Sequence, residues 1–209
     1  MRDMKRPTRK PAAPRRQRTE DRRPQIADAA LRILASKGAG HLTAAELGRE
    51  VGIADSTIFR HYRDMEEVVL AAIDRVRVLL DETFPPADGR PLDRLRALFF
   101  ARLALMHQHP EVLRLATSDR LEQVAGPEGA RRLRETIQQS RRFIDACLRE
   151  AQVEGDVPAS LDLTILGWVV RGTLQVAVAS TAGPRPAEPR TPEEIWAVLE
   201  KLLRGTRTP

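Results

Sequence analysis

The stretch VGIADSTIFRHY, residues 51–62, gathers side chains suited to a polyanion, the hydroxyls of Ser56 and Thr57, the guanidinium of Arg60 and the imidazole of His61, with Asp55 at their front. Short hydroxyl side chains at the front of a helix suit close approach to base edges in a major groove. Arg60 and His61, further back, reach backbone phosphates, which position a protein without reading sequence. A helix of this kind works only if a second helix holds it at a fixed angle.

The flanking sequence supplies that support. LTAAELGREVG predicts a short helix over 43–51, with Thr43 and Glu46 spaced as a capping box and Leu42 and Leu47 as the hydrophobic staple around it. Gly48 is the small residue needed where two helices cross, at roughly 1 kcal/mol cost in helix propensity against Ala. Gly52 permits the left-handed turn that ends the first helix. A second helix over 55–62 follows, with Ile53 and Ile58 turned inward and Tyr62 in the core. The pair is a helix-turn-helix. Before it, PQIADAALRILASKG places Ile26, Ala29, Ala30, Ile33 and Leu34 on one helical face. After it, a further helix runs from Met65 to about Thr83.

The rest of the chain is also periodic at helical spacing. Residues 92–108 carry the stripe Leu95, Leu98, Phe99, Leu103 and Met106, widened by Phe100 and Leu105. Residues 111–125 read as short broken helices, and 128–154 carry Leu133, Ile137, Ile144, Cys147, Leu148 and Ala151. Residues 161–181 are apolar nearly all round, which predicts burial on both sides. A helix over 193–204, with Ile195, Val198, Leu199 and Leu202, closes the chain. The expected fold is all-α, a three-helix N-terminal head on a larger helical body.

Three segments, IADAALRILASKG, LTAAELGREVGIADSTIFRHY and DMEEVVLAAI, resemble in order and spacing the N-terminal DNA-binding domain of TetR-family regulators. The resemblance is close over residues 24–73; beyond them it is one of architecture only. It implies that Thr43, Asp55, Ser56, Thr57, Phe59, Arg60, His61 and Tyr62 face or support double-stranded DNA. It further implies a homodimer on a near-palindromic operator, with half-sites about 34 Å apart, and a repressor released when a small molecule shifts the helix that starts near Met65. Four positions depart from the family pattern. Ala54 stands where a capping Ser is usual, Phe59 where a Tyr is usual, Met65 where a Lys is usual and Tyr62 where a Phe is usual. Phe59 and Met65 each remove a phosphate contact.

Composition fits this reading. Of the 209 residues 42% are apolar but only 4% aromatic, so the core relies on aliphatic side chains. Residues 1–23 hold ten Lys and Arg against Asp3, Glu20 and Asp21, a charge of +7, while the remainder holds 25 basic and 26 acidic residues. The expected domains are a disordered basic arm over 1–23, the DNA-binding domain over 24–73 and a body for effector binding and dimerisation over 74–209. The arm is either a solubilising tail or a contact for DNA phosphates. No 18-residue apolar run is evident, so no membrane span is expected, and a cytoplasmic location follows. Cys147, the single cysteine, reads as a small packed hydrophobe. His107 and His109 point different ways from a helix and make no metal site. No catalytic triad, phosphate loop or acidic cluster is present. Neither an enzyme, a metal nor a cofactor is expected.

In the body, Phe99, Leu103, Met106, His107, Ile144, Trp168, Arg171 and Gln175 are the candidate lining of a pocket for an apolar or weakly acidic effector. Arg171 lies inside the most apolar helix, where an unpaired charge is costly; it either pairs across a subunit interface or meets the ligand. Val169, Trp196, Leu199 and Leu203 are the expected dimer interface. The rival reading is a helical DNA-binding structural or partner-binding protein with no small-molecule effector.

Overall fold

A computed structural model describes residues 22–112, 120–182 and 190–205. The proposed arm therefore lies outside the described residues except for Arg22 and Arg23, which are already helical. Helix α1 spans Arg22–Lys37 and buries Ile26, Ala29, Ala30, Ile33 and Leu34 as expected, together with Ala27 and Leu31. It starts two residues before Pro24, which is tolerated because first-turn N–H groups have no intrahelical acceptor. After a 3-10 turn at Ala39–His41, α2 spans Ala44–Val51 and α3 spans Asp55–Ile58.

Two local expectations change. Thr43 caps α2, its hydroxyl accepting from the Glu46 N–H at 3.1 Å. The Glu46 carboxylate does not return to Thr43, because Lys37 and Arg49 both hold it. Only half of the capping box forms, since two cations outcompete one backbone amide. The second motif helix is also shorter than expected: regular α-helix ends at Ile58 and hydrogen-bonded turns carry the chain to Tyr62, whose N–H donates to the Ile58 carbonyl at 3.0 Å.

Helix α4, Met65–Asp81, is capped by Asp64, which accepts from the Glu67 N–H at 2.8 Å. It packs on α1 and, further along, on the body. The body comprises α5, Pro91–Gln108; α6, Arg120–Val153; α7, Leu163–Ala182; and α8, Pro192–Arg204. Gly126, at φ 60° just before Pro127, breaks α6, so its continuous part matches the helix expected from 128. Of the segment expected to be broken helices, 113–119 lie outside the described residues. A full capping box does occur, at Thr191 and Glu194 of α8.

The main hydrophobic core runs from Ile26 of α1 to Leu203 of α8, with no strand among the described residues. The fold is all-α. Phe99 packs on Trp196 at a ring separation of 5.5 Å, fastening α5 to α8. Helix α7 is not buried on both sides: Ile165, Trp168, Val169 and Val176 remain exposed. Against expectation, Leu163–Ser180 is long and apolar enough by composition to cross a membrane. Its inner side packs on α5 and α6, and its mid-helix Arg171 is ion-paired to Asp145 of α6. Helix packing on one side and an exposed apolar stripe on the other account for that composition.

Candidate functional site

The geometry of the head follows from three residues. Gly52 takes φ 72° and ψ 38°, the left-handed conformation that turns the chain sharply out of α2. A Cβ on Gly48 would stand 2.7 Å from the Ile53 carbonyl oxygen, so only glycine admits this crossing of α2 and the turn before α3. Ile58, fully buried, pins α3 from inside. Ala54 provides no side-chain cap, and Asp55 instead accepts the Ser56 N–H at 2.7 Å.

These constraints leave Asp55, Ser56, Phe59 and Arg60 exposed, with Thr57 and His61 partly covered. Phe59 is half exposed, an apolar ring on an otherwise polar face. Tyr62 is buried, and its hydroxyl donates to the Arg23 carbonyl at 2.8 Å. It supports the face from behind and does not belong to it. The Arg23 guanidinium stacks over the Tyr62 ring at 4.5 Å and pairs with Glu67 at 2.7 Å. Glu67 also accepts the Arg63 N–H at 2.7 Å, so the first turn of α4 is tied to the start of α1. Burial, and then the charges of Arg23, Arg22 and Arg60, hold the His61 pKa below its ordinary value. Its Nδ1 is buried with no hydrogen-bond partner among the described residues. The start of α1, where the basic arm joins, therefore sits in the same cluster of charges as Arg60 and His61.

A cleft of about 330 Å³ opens in the body between the end of α4, α5, α6 and α7. Met106, Ile144, Arg171 and Gln175, four of the eight residues expected around an effector, line this cleft. The other four expected lining residues lie elsewhere. Phe99 and Leu103 face the core, and His107 is exposed. Trp168, 64% exposed, points to the outside of α7; three residues before Arg171, it is offset from it by about 60° round the helix, on the outward flank of the cleft-lining stripe. Arg171 pairs within its own chain, donating to Asp145 at 2.8 Å, and Gly167 leaves the space in which that pair sits. Sequence reasoning missed Arg102, which lines the cleft and is 7% exposed. The signal was present: position 102 falls on the Leu95, Leu98, Phe99, Met106 stripe, and a charge on a buried stripe needs a reason.

The outer surface formed by α7 and α8 differs in detail from the expected interface. Val169 is partly exposed there, but Trp196, Leu199 and Leu203 are buried within one chain. Val198 and Leu202 are exposed in their place, at 61% and 57%. The α8 helix is rotated by about one position from the expectation because Trp196 is drawn under α5 by Phe99.

Elsewhere, His109 Nδ1 lies 3.0 Å from a Glu111 carboxylate oxygen, which accepts from it when Nδ1 carries the proton. Burial pushes the Cys147 thiol up to about 11, which suits packing and not reactivity. No three metal-ligating side chains cluster among the described residues.

With this geometry the chain matches known proteins. Residues 26–72 match the family described as bacterial regulatory proteins, tetR family. The nucleoid occlusion factor SlmA of Vibrio vulnificus (strain YJ016) is 27% identical over 197 residues, covering 88% of this chain and 96% of that protein. Two solved structures share the fold. The ketosteroid transcriptional regulator KstR2 of Mycobacterium tuberculosis aligns at TM-score 0.67 and 20% identity, over 88% of this chain and 93% of its own. AibR in complex with isovaleryl coenzyme A and operator DNA aligns at TM-score 0.68 and 17% identity, over 87% and 97%.

Proposed function

From its place in the TetR family of DNA-binding transcriptional regulators, we propose that this chain is a homodimeric, cytoplasmic repressor that a small molecule in the body cleft releases from a near-palindromic operator. The observation that carries the reading is the span of α4. Its first turn is bound to Arg63 and Arg23 beside the recognition segment. Its middle pairs with the body through Asp74 and Arg132 at 2.6 Å, and Leu80 near its end lines the cleft. A ligand that favours one position of α4 thereby favours one position of the head. It shifts the equilibrium only by its differential affinity for the two. The proposed division at residue 73 is therefore functional and not mechanical, because α4 serves both domains.

Ser56, Thr57 and Arg60 read and grip the major groove, with Thr43, Asp55, Phe59 and His61 flanking them and Tyr62 supporting them. The exposed stripe Ile165, Trp168, Val169 and Val176 on α7, with Val198 and Leu202 on α8, is the proposed two-fold interface. Basic residues 1–21 add phosphate contacts that compensate for Phe59 and Met65. AibR, whose solved structure holds both an acyl coenzyme A and operator DNA, supports the sensor reading. Similarity to SlmA over nearly the whole chain favours a second reading, a DNA-bound factor in nucleoid occlusion with no small-molecule effector.

Footprinting across the gene's own neighbourhood, followed by a compound screen for loss of the footprint, tests the proposal. Thr57→Ala and Arg60→Ala should each abolish the footprint with helix content unchanged. Specific binding that no compound relieves would overturn the sensor reading and leave the second one standing.

A further inference from the structure

Among the described residues Arg102 is the one charged residue that is buried. It projects from the buried stripe of α5 into the cleft. A guanidinium carries five N–H donors. Among the described residues this one makes a single hydrogen bond, to the Ser140 hydroxyl at 3.0 Å, and stacks over Phe84 at 5.2 Å. No carboxylate of the described residues lies in ion-pair range of it, and Asp81 acts only from a distance. Burial lowers its pKa to about 10, still well above neutrality, so it stays charged.

Arg171, on the facing helix, shows the contrast. It lines the same cleft but is neutralised by Asp145 at 2.8 Å. Most of the remaining cleft wall is apolar, with Leu80, Leu98, Met106, Ile144 and Leu174, and it also carries Thr136, Gln175 and the exposed Arg141. A buried cation in a mostly apolar cleft favours an anion with an apolar body, because such a ligand satisfies both surfaces at once. The cleft volume, about 330 Å³, lies at the small end of the roughly 300–1,000 Å³ range for ligand pockets.

We propose that the effector site takes a compact carboxylic acid with an apolar chain or ring, and that Arg102, assisted by Ser140, binds its carboxylate. This rests on the sensor reading above and adds the charge of the ligand and the residue that selects it. The planar fork of an arginine matches a carboxylate in two parallel hydrogen bonds, a geometry lysine does not reproduce.

The test uses the full chain with three probes of equal length: octanoate, octan-1-ol and octylamine. Calorimetry and thermal melting should rank octanoate first and find octylamine silent. Arg102→Met should reduce octanoate affinity roughly ten- to a hundredfold, the range for a hydrogen-bonded charge, bringing it level with octan-1-ol. Arg102→Lys should recover part of the preference. Octanol binding unchanged in Arg102→Met shows that the cleft is still folded.

A wild type without preference for octanoate overturns the proposal, and so does a preference that survives in Arg102→Met. These results are distinct from failure of the sensor reading. If uncharged compounds bind the cleft and release DNA while octanoate has no advantage, the sensor stands and the carboxylate assignment falls. If Leu174→Trp, which fills the cleft, leaves every binding and release signal unchanged, the cleft is not the sensor and both fall together.

Discussion

Gly48→Ala is the perturbation whose size the head geometry states most directly. In an ordinary helix interior this change stabilises by about 1 kcal/mol through propensity. Here the new methyl would meet the Ile53 carbonyl oxygen at 2.7 Å and the Asp55 nitrogen at 3.2 Å. Both are backbone atoms, so no rotamer change relieves the contact. The Ile53 N–H also donates to the Gly48 carbonyl at 2.9 Å, which holds the two segments together at the point of collision. Restoring ordinary contact, which begins at 3.4 Å, means moving the α2–α3 turn outward by a substantial fraction of an ångström.

Overpacking of this kind typically costs about 1–3 kcal/mol. The propensity gain offsets part of it, leaving a net loss of roughly 0–2 kcal/mol. DNA affinity should fall further than stability does, because recognition side chains must be held within about 0.5 Å of their working positions. Thermal melting paired with operator binding by fluorescence anisotropy measures both quantities on the same sample. Gly40→Ala, which meets nothing within 4 Å, is the control and should change neither. A Gly48→Ala protein that melts higher than wild type and binds the operator equally well would refute the crossing argument.

Three further outcomes are expected. Leu202→Glu, on the exposed stripe of α8, should yield folded monomers by light scattering, whereas Leu203→Ala should lose about 2–5 kcal/mol of stability because that side chain is fully buried; a dimeric Leu202→Glu protein would remove α8 from the interface. Deleting residues 1–20 should weaken binding to all DNA sequences alike and flatten the plot of log affinity against log salt, since basic side chains act by counterion release; an unchanged slope returns the arm to a solubilising role. The His61 pKa is depressed in the folded chain, so the unfolded chain takes up a proton first as pH falls below about 6.5. Stability should therefore decline through that window, and His61→Gln should flatten the decline in a urea titration repeated across pH.

The head was legible in the sequence because its constraints are local. A glycine at a crossing, a left-handed glycine after α2 and inward Ile58 each have one structural solution, and Gly48, Gly52 and Ile58 adopt it. The misreadings nearby concern competition among polar partners. Glu46 was spaced for a capping box but met Lys37, which comes from the end of α1 and is brought near only by the tertiary fold.

The body was less legible for a different reason. Helix α8 carries two apolar stripes, Trp196, Leu199 and Leu203 on one and Val198 and Leu202 on the next, and hydrophobicity does not say which one faces home. Phe99 decides it by taking Trp196 inward. Helix α7 has the same ambiguity, and Trp168 was assigned to the wrong side of it. A helix buried on both sides within one chain, and a helix buried on one side and covered by a second copy on the other, require the same apolar composition. Charge is what separates the two faces. Arg171 marks the inner side of α7 through Asp145, while Ile165, Trp168, Val169, Gly172 and Val176 leave the outer side without a charged residue. Arg102 carries the same information one helix away. A buried charge with no carboxylate in ion-pair range among the described residues is costly to fold, and the proposed anion site would offset that cost.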